Sequence, residues 1–345
     1  MNLALDATYS LGSELSGVGV YSRELLRTLA ATYPEQRFRW SYRPNRFLKS
    51  FREPKPANVT RSVLWDTLGP RRGLFHGLNQ RLPRRRYPLQ IATFHDLFVL
   101  TGQYSTPEFR RRFTLQARQA AEQADLIIAV SHFTAGQVHA LLGVEKSRIR
   151  VVHHGIVPRE IPQCPKEKMV LCVGAIQIRK NTARLLEAFR AMPTDWRLVL
   201  AGSAGYRSDT LLSTPHDRVT ITGYIEDQEL ATLYAKASVF AFPSLDEGFG
   251  MPVLEAMSAG VPVITSNRSA LPEVVGDAAI LIDPENTAEL GDALNQMAQN
   301  EKYRSELAAR GFIRAQLFTW ERAAQQTWAA YRELAGPTSL PLPQS

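Results

Sequence analysis

The sequence predicts an α/β protein built from two doubly wound, Rossmann-like domains. A chain of 345 residues with 44% apolar content exceeds what one ordinary core needs. Short apolar runs alternate with helical patterns, and this alternation restarts after a proline-rich stretch. The apolar runs are far shorter than the roughly 20 residues that cross a bilayer. We therefore expect two globular domains and no transmembrane helix.

In the first half, short apolar segments are typical of buried strands. They lie at residues 3–7, 90–94, 126–130 and 150–153, with a further candidate strand near Phe38. Helical patterns separate them, and the clearest begins at Pro107, where Thr106 is placed to act as the N-cap. This order of strands and helices predicts a parallel sheet with crossover helices.

The second half repeats the pattern after Pro158, Pro162 and Pro165, which mark an interdomain linker. Apolar segments predict strands at residues 170–173, 197–200, 219–222, 239–242 and 262–265. We predict an N-terminal domain over 1–157, a second domain over 158–320, a helix over 321–335 packing back toward the first domain, and a disordered tail over 336–345. Ligands of open α/β sheets bind at the carboxyl ends of the strands, so we expect the domains to face each other across a cleft.

Charge is distributed unevenly along the chain. Residues 1–157 hold 23 Lys+Arg against 11 Asp+Glu, whereas residues 158–345 hold 18 against 22. The basic half suits a nucleic acid, a membrane surface or a phosphorylated substrate, but it also fits a solvated arginine-rich surface. Cys164 and Cys172 form no disulfide or zinc pattern, and the first residues lack a basic segment, so we expect a cytoplasmic protein.

The segment 243–262 carries two carboxylates eight residues apart, Glu247 and Glu255. It follows an apolar strand and precedes a helix in which Pro252 is an early residue, so we place Glu247 on the loop and Glu255 in the first helical turn. Gly248 and Gly250 expose backbone NH groups, and a helix N-terminus favours an anion such as a diphosphate. Taken alone, a glutamate at the position of Glu255 is more often a structural residue stabilised by the helix dipole than a ligand-binding one.

This segment resembles the Glu-x7-Glu signature of glycosyltransferase family 4, including the Pro-Ser before it and the Gly-x-Pro-Val after it. The resemblance implies the GT-B fold and retention of anomeric configuration. It places Glu247 at the donor sugar and Glu255 at the ribose hydroxyls of a nucleotide-sugar donor. It also assigns the backbone around Gly248, Phe249, Gly250, Met251 and Pro252 to the donor.

A second segment, residues 173–181, follows the first strand of the second domain and contains Gly174, Arg179 and Lys180. In the family this Arg-Lys pair grips the donor diphosphate, and a guanidinium and an ammonium suit phosphate oxygens. An exposed basic pair is the alternative interpretation. Many relatives carry a further arginine where this chain has Ala175 and Ile176, so one phosphate contact is expected to be missing.

Further donor contacts follow from the same resemblance. Gly202 ends one strand of the second domain, and Tyr224 and Ile225, which follow another, correspond to residues that pack the nucleobase. In the first domain, Gly17 and Gly19 precede a helix and resemble a dinucleotide fingerprint only superficially, because the preceding loop is too long for a tight first turn. In the family this glycine-rich loop borders the phosphates and the acceptor.

His95 ends a strand and matches the family histidine that projects onto the donor sugar. His76, Asn79 and Asp96 are candidates for the acceptor side. His153 and His154 remain open between an acceptor contact and a structural role.

The chain contains no Asp-x-Asp triplet and no histidine–carboxylate spacing typical of a metal cage. We therefore expect neither a metal nor a cofactor, with the nucleotide-sugar as co-substrate. The resemblance implies that a hexose, glucose or mannose, passes from a UDP- or GDP-sugar to a saccharide or lipid-linked acceptor in polysaccharide or glycoconjugate synthesis. The predicted catalytic residues are His95, Glu247, Arg179 and Lys180.

Two other classes remain as alternatives: a sugar-nucleotide epimerase or phosphorylase on a similar fold, and a nucleic-acid-binding protein. Basic and aromatic residues are not interleaved along one strand, which disfavours nucleic acid as a partner. Arginines 84–86 and 110–112 predict peripheral contact with an anionic membrane, with Phe109 and Phe113 as a candidate apolar edge.

Overall fold

The computed structural model describes residues 2–68, 72–206 and 217–336, and the chain divides into two compact units. The first unit takes the chain up to Gly102, Thr106–Gly155 and the chain from Phe318 onward, and the second takes Gln103–Ser105 and Ile156–Leu317. The tail predicted over 336–345 lies outside the described residues from position 337 onward. Among the described residues, no helix is both long and apolar enough to cross a membrane.

The first unit contains a parallel sheet of seven strands among its described residues, in the order β3-β2-β1-β4-β5-β6-β7. The strands are β1 Leu3–Asp6, β2 Phe38–Tyr42, β3 Val59–Val63, β4 Leu74–Gly77, β5 Leu89–Phe94, β6 Leu126–Ala129 and β7 Ile149–Val151. The helices are α1 Gly17–Thr32, α2 Pro44–Ser50, α3 Phe98–Thr101, α4 Pro107–Gln123 and α5 His132–Leu142. The central strands are buried, as expected of a parallel sheet covered by helices on both faces.

Side chains define where the long helices of this unit begin. Ser16 caps α1 by accepting a hydrogen bond from the Gly19 amide at 3.3 Å. Thr106 caps α4 by accepting one from the Phe109 amide at 3.3 Å, which confirms the predicted start of that helix. Proline at the first position of α4 costs no hydrogen bond because that amide has no intrahelical partner.

The second unit contains a parallel sheet with the order β10-β9-β8-β11-β12-β13 among its described residues. The strands are β8 Glu167–Val173, β9 Arg197–Ala201, β10 Val219–Gly223, β11 Ala237–Phe242, β12 Val263–Ser266 and β13 Ile280–Ile282. The helices are α6 Thr182–Phe189, α7 Asp227–Lys236, α8 Met251–Ser258, α9 Leu271–Val275, α10 Thr287–Gln299 and α11 Glu301–Ala315. Both sheets are doubly wound, so the predicted fold class is confirmed.

The last helix, α12 Trp320–Ala335, belongs to the first unit although it follows the second along the chain. Its apolar face enters the main core of that unit, where Trp328 stacks on Tyr33 with ring centroids 4.1 Å apart. The chain leaves the first unit at Gly155, where an added Cβ would lie only 2.2 Å from the Trp320 amide nitrogen. The departing and returning segments therefore touch within this unit.

Candidate functional site

The two loops that carry the charged motifs of the second unit lie at its topological switch point. β8 and β11 are hydrogen-bonded neighbours although they are not consecutive in sequence. From this pair, β9 and β10 extend the sheet on one side and β12 and β13 on the other. Ligands of open α/β sheets bind beyond the carboxyl ends of the strands at such a point. Arg179 and Lys180 follow β8, and Glu247 follows β11, so all three lie at this edge.

Asn181 holds these two loops together. Its side-chain amide is buried and donates to the Pro243 carbonyl at 3.0 Å and to the Pro284 carbonyl at 2.6 Å. The Leu245 amide donates to the Arg179 carbonyl at 2.8 Å. Asn181 adopts the left-handed conformation with φ 58°, which asparagine tolerates better than most residues. The basic pair is therefore fixed against the segment that carries Glu247.

Glu247 lies between the two cations. Lys180 Nζ is 2.6 Å from Glu247 Oε1, and Arg179 Nη1 is 3.0 Å from Oε2. The side chains of all three are about nine-tenths buried, and Lys180 Nζ also lies 4.5 Å from the centre of the Phe242 ring. Burial opposes ionisation of Glu247, but Arg179 and Lys180 lower its pKa to about 2. Glu247 is therefore a carboxylate at neutral pH.

Two cations surround one carboxylate, so the side chains of Arg179, Lys180 and Glu247 together carry one net positive charge. The Glu247 backbone is held as well: its amide donates to Ser269 Oγ at 3.1 Å, and its carbonyl accepts from the Ala270 amide at 3.2 Å. A cationic pair held in place in this way suits an anion such as a diphosphate.

Glycines let backbone segments approach closely at the same edge. A Cβ added at Gly202 would lie 2.1 Å from the Gly174 carbonyl oxygen, so the loops after β8 and β9 pack with no space for a side chain. Gly250 precedes α8 with φ 117°, and a Cβ there would lie 2.8 Å from Leu271 Cδ2. Among the predicted donor residues beside it, Gly248 and Phe249 are buried, while Met251 and Pro252 open the helix and are partly exposed.

Glu255 lies in the second turn of α8, as its fifth residue, so the predicted placement in the first turn is wrong. The helix begins at Met251, one residue before Pro252, and this earlier start moves Glu255 from the fourth to the fifth helical position. Both Glu255 oxygens have partners: Tyr234 OH donates to Oε2 at 3.0 Å, and Arg159 Nη2 is 3.4 Å from Oε1. The proposed dipole stabilisation is consequently weak there, since it is concentrated in the first turn.

The predicted nucleobase residues follow β10. Tyr224 is 53% exposed and Ile225 is half-buried. An exposed aromatic face next to a strand end suits stacking on a base. The structure thus brings Arg179, Lys180 and Glu247 into direct contact, and it places the remaining predicted residues of this unit on neighbouring loops and on α8.

In the first unit, His95 follows β5 and is 8% exposed. Its Nε2 is 2.9 Å from the Leu78 carbonyl, and Tyr21 packs edge-on against the ring at 4.6 Å. Burial lowers its pKa to about 4, against a smaller opposite effect of the Leu78 carbonyl, so the imidazole is neutral. Asp96 beside it is partly exposed. Gly17 and Gly19 form the first turn of α1 rather than a flexible loop, because Ser16 caps the helix.

Two of the acceptor-side candidates, His76 and Asn79, are buried. His76 is fully buried on β4, with Nδ1 2.6 Å from Tyr331 OH and Nε2 2.8 Å from Thr93 Oγ1, so both ring nitrogens are occupied. Asn79 is 7% exposed, and its Oδ1 accepts from the Arg81 amide at 2.9 Å, which closes a local turn. The sequence showed only that these residues lie near a strand end, not which way their side chains point.

The two consecutive histidines also differ from each other. His154 is buried between Tyr21 and Trp320, with ring centroids 4.9 and 6.0 Å away, as a structural residue would be. His153 is partly exposed and contacts Phe318 edge-on at 5.7 Å.

Sequence reasoning missed three residues that support the charged groups: Arg159, Tyr234 and Ser269. Arg159 lies in the proline-rich segment that was interpreted only as a linker. Ser269 accepts a hydrogen bond from the Glu247 amide, which lies 22 positions away in the sequence. No local pattern marks either residue. Tyr234 occupies a buried position on α7, where an aromatic residue needs no function.

Both halves of the sequence match known families of glycosyltransferases. The family described as "Glycosyl transferases group 1" matches residues 158–314, and the family described as "Glycosyltransferase Family 4" matches residues 67–160. The chain is 34% identical to O-antigen chain mannosyltransferase B of Escherichia coli over 284 residues, which cover 76% of this chain and 74% of that protein. It is 28% identical to MMP alpha-(1->4)-mannosyltransferase of Mycolicibacterium hassiacum, covering 96% and 98% of the two chains.

Among solved structures, sucrose-phosphate synthase from Thermosynechococcus elongatus superposes with a TM-score of 0.78 at 22% identity, covering 96% of this chain and 98% of that one. That likeness shows the fold. Together with the paired basic residues and the Glu247 loop at the switch point, the sequence matches place this chain in glycosyltransferase family 4.

Proposed function

We propose that this glycosyltransferase is a retaining, metal-independent enzyme that transfers a hexose, most readily mannose, from a nucleotide-diphosphate donor to a saccharide or lipid-linked acceptor in polysaccharide synthesis. The observation that carries the proposal is the buried Arg179–Glu247–Lys180 group at the switch point of the second sheet. The choice of mannose rests on the two mannosyltransferases to which the chain is similar over most of its length.

In this proposal the donor diphosphate binds the cationic pair. Arg179 and Lys180 contact its oxygens and neutralise the charge that grows on it as the bond to the sugar breaks. The N-terminus of α8 adds a favourable dipole for the same charge. Glu255 accepts hydrogen bonds from the ribose hydroxyls, and Glu247 stabilises the positive charge that develops on the sugar.

Retention follows if the acceptor oxygen attacks the anomeric carbon from the face that the diphosphate leaves. The carbon–oxygen bond to the diphosphate breaks, the bond to the acceptor oxygen forms, and the acceptor proton passes to the departing diphosphate. Lys180 and Arg179 already pair with Glu247, which makes this carboxylate a poorer nucleophile than a double-displacement glycosidase scheme requires. Proton NMR of the first product formed gives its anomeric configuration directly.

Metal independence rests on the same two cations, because they supply the charge that a divalent ion would otherwise provide. The sequence has no Asp-x-Asp triplet to hold such an ion beside the diphosphate. We further propose that no cofactor is needed beyond the nucleotide-sugar. Transfer is expected to continue in excess chelator, and a complete loss reversed by a divalent cation would overturn this part of the proposal.

The experiment that tests the proposed function has two steps. GDP-mannose, UDP-glucose and their free nucleoside diphosphates are first screened by thermal shift, since a ligand that binds the folded state raises its melting temperature. The stabilising donor is then incubated with oligosaccharide acceptors, and free nucleoside diphosphate is measured. Acceptor-dependent release of the diphosphate supports transfer. Interconversion of the donor sugar without an acceptor would instead indicate an epimerase.

We also propose peripheral contact with anionic membranes, where lipid-linked acceptors reside. Arg84, Arg85, Arg111 and Arg112 are exposed, and each basic residue near such a surface contributes about 1 kcal/mol. On α4, Phe109 and Leu115 are 38% and 63% exposed, whereas the candidate edge residue Phe113 belongs to the core. Co-sedimentation should require anionic vesicles and weaken with salt, and equal recovery on neutral vesicles would contradict the proposal.

A further inference from the structure

Arg159 connects the segment before β8 with the second carboxylate of the Glu-x7-Glu pair. Its Nη1 is 2.7 Å from Asp227 Oδ1, and its Nη2 is 3.4 Å from Glu255 Oε1. The Arg159 side chain is 21% exposed and that of Glu255 17%, whereas that of Asp227 is 84% exposed. An ion pair with so exposed a carboxylate as Asp227 contributes little to stability, so the contact with the less exposed Glu255 is the more important one.

Tyr234 contacts Glu255 from the other side. Its hydroxyl donates to Glu255 Oε2 at 3.0 Å, with the Pro252 carbonyl as a more distant acceptor at 3.4 Å. A carboxylate has about four acceptor positions on its two oxygens, and these contacts occupy one position on each. One further position per oxygen remains, which matches the two hydroxyls of a vicinal diol.

The environment of Glu255 makes this arrangement depend on charge. Burial raises the pKa of Glu255, while Arg159 and the Tyr234 hydroxyl lower it and Asp227 raises it slightly. The titratable groups that act on Glu255 are thus Arg159 from the linker segment and Asp227 and Tyr234 from α7. Cys172 acts on Tyr234. A protonated carboxyl would become a donor at one oxygen and accept less well from a diol.

We propose that Arg159 is a positioning residue for donor recognition, which orients Glu255 so that both of its oxygens accept hydrogen bonds from the ribose diol. The inference rests on the proposed donor role of Glu255. Arg159 acts through Glu255 and does not itself touch the donor. The segment before β8 therefore contributes to nucleotide binding as well as connecting the two units.

The test compares Arg159→Ala, Arg159→Lys and a control, Arg197→Ala, over a range of pH. Arg197 pairs with Glu167 at the start of β9, the strand end opposite the switch point. For Arg159→Ala we expect the donor KM to rise about tenfold near pH 7, with kcat changed by less than about twofold. The increase relative to wild type should shrink as pH rises, because a higher pH ionises Glu255 without help. Arg159→Lys should restore most of the affinity, and Arg197→Ala should match wild type.

An increase in KM that is equal at every pH, or one that Arg159→Lys does not relieve, would show a merely structural role and overturn the inference. Wild-type donor KM in Arg159→Ala would overturn it as well. Glu255→Gln separates this failure from failure of the proposed function. If Glu255→Gln raises the donor KM but Arg159→Ala does not, only the inference is wrong. If Glu255→Gln also leaves the donor KM unchanged, the assignment of Glu255 to the donor fails.

Discussion

At the level of single residues, the group formed by Arg179, Lys180 and Glu247 should determine the affinity of this site for an anion. Lys180→Ala removes one cation and leaves Glu247 with Arg179 as its cationic partner. A charge-assisted contact to a diphosphate contributes about 1.5–3 kcal/mol, so the donor dissociation constant should rise at least tenfold. Calorimetric titration with the nucleoside diphosphate measures this directly.

The matched control for that change is Lys168→Ala. Lys168 lies near the start of β8 and pairs with Asp195, but its side chain is 63% exposed. We expect this variant to bind the nucleoside diphosphate as the wild type does. Equal affinities for Lys180→Ala and Lys168→Ala would remove the phosphate assignment.

Glycine 202 allows a second prediction at this scale. Gly202→Ala places a Cβ where only 2.1 Å separates it from the Gly174 carbonyl, so backbone must move. The loops after β8 and β9 should separate, which weakens donor binding and lowers stability. Gly136→Ala in α5 is the control, because nothing lies within 4 Å of its added Cβ. That change should stabilise the protein by about 0.5–1 kcal/mol in urea denaturation, and a destabilised Gly136→Ala would contradict the argument.

At the level of secondary-structure elements, α12 completes the core of the first unit. Trp328 is 1% exposed and stacks on Tyr33, while Tyr331 of the same helix is hydrogen-bonded to His76. Trp328→Ala should therefore cost about 3–5 kcal/mol, the usual loss for a buried tryptophan. Urea denaturation measures the cost, with Leu48→Ala as control because Leu48 is 80% exposed. Similar losses in both variants would mean that α12 is not an essential part of that core.

The elements found from sequence share a strong pattern, and those that were missed lack one. The predicted strands at 126–130, 197–200 and 239–242 are apolar apart from Arg197, and each agrees with the structure to within two residues. β3 has three consecutive polar residues, Thr60, Arg61 and Ser62, and is only partly buried, while β13 has three residues. Their pairing depends on neighbouring strands that are distant in sequence, so local composition carries little signal.

At the level of the whole molecule, buried neutral histidines predict acid sensitivity. Burial lowers the pKa of His76 to about 3 and that of His95 to about 4, below the ordinary value of 6.5. At a pH between the folded-state pKa and 6.5, the histidine is protonated in the unfolded chain but not in the folded chain. The free energy of unfolding therefore decreases as pH falls below about 6.5. Each histidine should cost up to about 1.4 kcal/mol per pH unit in that window.

Urea denaturation of the wild type and of His76→Gln between about pH 7.5 and pH 5 tests this expectation. The wild type should lose stability steeply, and the variant should lose it less steeply because one titrating group has been removed. Identical slopes for the two proteins would show that His76 does not contribute to the acid sensitivity.

The sequence by itself determined the family, the two doubly wound sheets and the loops that carry the charged motifs. These depend on short-range patterns: apolar runs, proline and glycine positions, and the spacing of Glu247 and Glu255. Only the tertiary structure decided which side chains meet. Arg159 contacts Glu255 across 96 positions, and His76 contacts Tyr331 across 255, so neither pairing leaves a local signal. The tertiary structure also decided what each of these residues does, because composition reveals neither burial nor contact partners. Burial and two hydrogen bonds make His76 a structural residue, and two neighbouring cations hold Glu247 as a carboxylate.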